Sequence, residues 1–118
     1  MSAPVVIDLE AIENLRALNP GDNDAFVREI RDMFLEDTPK RIEELDASFA
    51  AGDTAKFSRT AHTIKGSSAN LGAIALRDVA GAIEQQAKTR GPAGLEAEVA
   101  NLKLEFARAK AELLRVVP

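Results

Sequence analysis

Apolar residues recur along this chain at intervals of three and four, and no stretch alternates with the period of two expected of a half-buried strand. The pattern predicts an all-α protein. A short helix over about 8–18 opens at Asp8, which can cap it, carries Leu9, Ile12, Leu15 and Leu18, and stops at Asn19-Pro20-Gly21. The next stripe, Phe26, Ile30, Phe34, Thr38, Ile42, Leu45 and Phe49, keeps its phase across Pro39. We therefore expect one long helix over about 23–51, bent at the proline. The alternative is that Thr38 caps a fresh helix with Pro39 at its first position.

Gly52-Asp53 closes that helix and caps a third over about 53–71, for which Gly72 is a left-handed terminator. A fourth, over about 73–90, faces Leu76, Val79, Ala80, Ile83 and Ala87 inward until Arg90-Gly91-Pro92 breaks it. The last, over about 92–116, begins at Pro92 or Ala93 and carries Leu95, Val99, Leu102, Phe106, Ala109 and Leu113 in alternating steps of four and three. All five phenylalanines fall on inward stripes and read as core. Four long helices with short links predict an antiparallel up-down-up-down four-helix bundle, with the short N-terminal helix across one end. The last seam could serve a dimerising coiled coil, but it is short for one, and we expect a monomer.

Composition narrows the class of function. With 118 residues the chain is one domain, able to bury around two thirds of its unfolded surface. Cysteine is absent, which removes disulfides and thiolate metal sites and suits a reducing compartment. Nineteen acidic residues against 15 basic ones give a net charge of −4, which argues against general nucleic-acid binding and against an anionic membrane surface. Met1-Ser2-Ala3-Pro4 has neither a basic region nor an apolar run, and no stretch approaches the roughly 20 apolar residues that span a bilayer. The expected location is cytoplasmic and the expected partners are proteins.

The chemistry converges on one residue. His62 is the single histidine. At roughly 100° per residue, Phe57, Ala61, Ile64, Ser68 and Leu71 collapse onto one stripe of the third helix, so His62 faces water. Its neighbours up and down the helix are Ala55, Ser58, Gly66 and Ala69, a strip of small side chains that would not obstruct an approaching protein. Arg59 and Lys65 flank the strip and make the helix locally basic. Gly66 in mid-helix costs about 0.5–1 kcal/mol relative to alanine, a local penalty placed beside the one histidine. Lys65-Gly66-Ser67 lacks the preceding glycine spacing of a nucleotide-binding P-loop.

A histidine followed by Lys65 and Gly66, then Ser67, Ser68 and Leu71-Gly72, resembles the histidine-containing phosphotransfer (HPt) domain family. Phe34-Leu35-Glu36-Asp37-Thr38-Pro39 and Gly52-Asp53 upstream also resemble it, so the likeness runs from about Asp8 to Val116. The resemblance implies a phosphorelay intermediate with no kinase or ATPase activity of its own. Its partner would be a response-regulator receiver domain, a hybrid histidine kinase, or both. The receiver would supply the aspartyl phosphate and the Mg²⁺, and this chain would need no cofactor. His62 would be the phosphoacceptor, Lys65 would offset charge on the phosphoryl oxygens, and Gly66 would allow close approach. Ala55, Ser58, Arg59 and Ala69 are the docking candidates, together with exposed residues of the first helix. The family often hydrogen-bonds the ring from the following helix, and the matching position here is Glu84. Gln85 and Gln86 are the fallback, and a merely solvated glutamate is the alternative. Two other functions compete: a non-catalytic helical module binding through the same face, and an enzyme with His62 as general base, for which the sequence offers no second catalytic group.

Overall fold

The computed structural model describes residues 5–118, and every regular element among them is helical. The expectation for Met1-Ser2-Ala3-Pro4 lies outside the described residues. The elements are α1 (Leu9–Leu18), α2 (Ala25–Ala51), α3 (Thr54–Asn70), α4 (Ile74–Arg90) and α5 (Glu96–Val116). Short links make α2 to α5 an antiparallel up-down-up-down bundle, in which α3 packs against α2 and α4, and α5 against α4 and α2.

Two aspartates open helices as their position dictates. Asp8 accepts a hydrogen bond from the Glu10 N–H at 3.0 Å, and Asp53 accepts one from Lys56 at 3.1 Å. The helix α2 runs unbroken through Pro39, and Thr38 is buried in the core and caps nothing. Two boundaries moved. Asn23 and Asp24 both take left-handed φ, so α2 starts at Ala25, with the Asp22 carboxylate accepting from Phe26 N–H at 3.0 Å. The last helix starts at Glu96, four residues later than expected, because Gly91 and Gly94 adopt φ of +80° and +85° and no helix propagates through them.

The core holds Leu45 of α2, Phe57, Ala61 and Ile64 of α3, Leu76, Ala80, Ile83 and Ala87 of α4, and Leu102, Ala109 and Leu113 of α5. Phe34 packs on Phe106 with centroids 5.8 Å apart and Phe49 on Phe57 at 5.7 Å, joining α2 to α5 and to α3. Phe26, Phe49 and Phe106 are half-buried.

The helix α1 does lie across one end of the bundle. The Asp8 N–H donates to the Gly72 carbonyl at 2.7 Å, while the Arg16 guanidinium donates to the Val116 carbonyl at 2.9 Å and to the Asp24 carboxylate at 3.2 Å. Only the middle of a helix so placed is covered. Ile12 is buried and Leu15 half-buried, but Leu9 and Leu18, which share their helical spacing, are 55% and 67% exposed.

Gly72 is where α1 presses on the bundle. Its φ is +69°, and a Cβ there would lie 2.7 Å from the Ala11 Cβ and 2.8 Å from the Asp8 carbonyl oxygen. Gly21, at φ +83°, has nothing within 4 Å. Gly21→Ala should cost about 1 kcal/mol for the backbone alone, and Gly72→Ala roughly 3 kcal/mol because overpacking adds to it. Urea denaturation of both variants measures this, and equal losses would show that α1 does not bear on the α3–α4 turn.

Candidate functional site

The third helix presents its polar run without unwinding. Asp53 caps it, Phe57, Ala61, Ile64 and Ser68 anchor one face, and the hydroxyls of Thr63, Ser67 and Ser68 bond carbonyls one turn back at 3.1, 3.0 and 2.6 Å. His62 is thereby turned outward, its side chain 63% exposed.

Opposite it, Glu84 follows the buried Ile83 on α4 and has only 8% of its side chain exposed. Its Oε2 lies 2.9 Å from His62 Nδ1 and 3.0 Å from Lys88 Nζ, and its Oε1 lies 2.8 Å from Lys65 Nζ. Burial pushes this carboxyl up. Hydrogen bonds from Lys65 and Lys88, with the charges of His62 and Lys65, outweigh burial and bring it from 4.5 down to about 2. At neutral pH Glu84 is therefore ionised and can only accept, which assigns the ring proton to Nδ1 and leaves the Nε2 lone pair free toward solvent. The arrangement can hold a nucleophilic nitrogen in the open and offset positive charge on the ring from beneath.

Of the three residues considered on α4, Glu84 reaches the ring, Gln85 is exposed and Gln86 half-buried. Lys65 belongs to the same cluster as His62, and Gly66 is exposed with nothing within 4 Å of where its Cβ would be. Ala55, Arg59 and Ala69 are exposed on the His62 face. Ser58 is not. It is 7% exposed and its Oγ lacks a hydrogen-bond partner, so the covered arc of α3 is wider than its apolar stripe. Sequence reasoning also passed over Lys88, which the favourable Glu–Lys spacing of four from Glu84 could have flagged, and Gly81, an isolated glycine inside α4. A groove of about 440 Å³ between α2 and α3, walled by Met33, Phe34, Asp37 and Leu71, is lined by neither His62 nor Glu84. Among the described residues no group of three or more His, Cys, Asp or Glu is placed to hold a metal ion.

Because the folded-state value of Glu84 is depressed, the stability it contributes is complete above about pH 4.5 and is lost as pH falls through about 2. Glu84→Gln should therefore be less stable than the parent at neutral pH, with the gap closing on acidification below about pH 4. Urea midpoints across that range test it, and a gap independent of pH would mean that Glu84 is not ion-paired in the fold.

The Hpt domain family model matches residues 29–112. The match leaves out α1, the first turn of α2 and the last turn of α5. No curated protein sequence matches significantly. The crystal structure of histidine-containing phosphotransfer protein B (HptB) from Pseudomonas aeruginosa PAO1 is similar to this chain, with a TM-score of 0.84 and 29% sequence identity over 97% of this chain and 95% of that one. With a family match over most of its length and this fold around the histidine, the chain belongs to the Hpt domain family.

Proposed function

We propose that His62 is the residue on which this Hpt protein carries a phosphoryl group to and from the aspartate of a receiver domain in a phosphorelay. The observation that carries the reading is the buried, ionised Glu84 at 2.9 Å from Nδ1. In the forward step the Nε2 lone pair attacks phosphorus, the bond from phosphorus to the aspartate oxygen breaks, and the aspartate leaves as a carboxylate. The ring, still protonated at Nδ1, takes up positive charge. A carboxyl held near 2 does not remove that proton but stabilises the charge through the hydrogen bond, so reversal needs no proton transfer.

Lys65 offsets charge on the phosphoryl oxygens, and Gly66 keeps the adjoining surface flat for the receiver. Arg59, Ala55 and Ala69 belong to the docking face; Ser58, being buried, supports it from below. Mg²⁺ comes with the receiver. The donor is a receiver domain, free or within a hybrid histidine kinase. His62, Lys65, Lys88 and Glu84 all come from one chain, which supports a monomer as the working unit. None of the described helices is long and apolar enough to cross a membrane, and we assign the protein to the cytoplasm, where the cysteine-free sequence fits.

Incubation with a phosphorylated receiver should label the protein at Nε2 of His62, read by NMR of the phosphohistidine. ATP alone should not label it. His62→Gln should abolish labelling with a stability change within about 0.5 kcal/mol, because the side chain is exposed. Labelling of His62→Gln, or phosphate on Nδ1, would overturn the reading. Gly66→Gln should slow transfer several-fold while the fold holds, since its new side chain enters open space. Undiminished transfer would remove Gly66 from the docking face.

A further inference from the structure

Lys65 reaches Glu84 across the surface of α4, and it does so where a side chain is missing. Gly81 stands one turn before Glu84, on the same face of the helix. A Cβ built on Gly81 would lie 3.2 Å from Lys65 Cδ and 4.0 Å from Lys65 Cγ, with no other atom outside its own surroundings within 4 Å. The stem of Lys65 thus runs directly over the Gly81 backbone before its ammonium meets Glu84 Oε1 at 2.8 Å.

Nothing in the backbone asks for glycine here. Gly72, Gly91 and Gly94 take positive φ, whereas Gly81 lies inside α4 and does not. A glycine in mid-helix costs about 0.5–1 kcal/mol relative to alanine. Close approach of two helix backbones would be the usual explanation, but the atoms a Cβ would meet belong to the lysine side chain alone.

We propose that Gly81 is a positioning residue for phosphotransfer that acts through Lys65, its bare backbone forming the track that carries the lysine stem onto Glu84 beside His62. The part played in transfer rests on His62 being the phosphoacceptor; the placement of Lys65 by Gly81 does not. An alanine at 81 asks the stem to give by a few tenths of an ångström. A leucine occupies the track. Lys65 is then displaced into water, and Oε1 loses its cation while His62 and Lys88 remain on Oε2.

The test uses Gly81→Ala and Gly81→Leu, each alone and combined with Lys65→Met, with circular dichroism to establish that helix content is unchanged. An ion-paired lysine ammonium exchanges slowly enough with water to give a ¹⁵N–¹H signal. Lys65 should show one in the parent, keep it in Gly81→Ala, and lose it in Gly81→Leu. Transfer from a phosphorylated receiver should fall in Gly81→Leu by the same factor as in Lys65→Met, and the double variant should be no worse than either. A retained Lys65 signal in Gly81→Leu overturns the proposal, as does a further loss in the double variant or unchanged transfer in Gly81→Leu. If the parent accepts no phosphoryl group, the reading of His62 fails, and the ammonium signal still decides whether Gly81 places Lys65.

Discussion

A carboxylate covered at a helix–helix seam gives up hydration that its partners have to replace, and Glu84 is such a group. It is tolerated because two lysines, one from each of the helices that form the seam, bring ammonium groups to its two oxygens. Lys65 lies alongside Gly81 on its way to Glu84, and small buried side chains, Ala61 on α3 and Ala80 and Ala87 on α4, belong to the core that these two helices share. The imidazole of His62 is then held in one orientation by the same carboxylate that the lysines anchor.

The division between stability and function follows. His62 is largely exposed and fills no cavity, so the fold does not depend on it. The groups beneath it are different: remove one lysine and the buried carboxylate loses one of its charged partners, remove the carboxylate and two cations and a ring lose their common partner. A site of this kind places its chemistry on the surface and its ordering forces just below.

Much of this was legible in the sequence, for identifiable reasons. The stripe from Phe26 to Phe49 holds its phase over the whole of α2, so the helix could be read through Pro39. Asp53 and Gly72 mark the ends of α3 by chemistry that depends only on their own residue types. His62, Lys65 and Gly66 declare themselves by spacing. What escaped depends on neighbours. Ser58 lies on the outer arc of α3 in projection, yet the packed bundle covers it. Leu9 and Leu18 have the right period, but a helix laid across an end touches the bundle only at its middle. Pro92 suits the first position of a helix, but Gly94 two residues on takes a left-handed φ and delays α5 to Glu96. Gly81 carries no motif, and its meaning appears only when the lysine of another helix is laid over it.

The exposure of the nucleophile and the burial of its partner are two sides of one requirement. An intermediate that must meet the acidic pocket of another protein cannot keep its histidine in a cleft, since the receiver's own cleft has to close over it. Exposed hydrogen bonds are poorly ordered, and a ring orientation set by water alone would leave either nitrogen free to react. Placing the second partner of the ring under the surface resolves the conflict: on the proposed reading Nε2 is the nitrogen left for the receiver, while Nδ1 faces the largely buried Glu84 carboxylate. On that reading the exposed face of α3 is half of an active site whose other half travels on the partner.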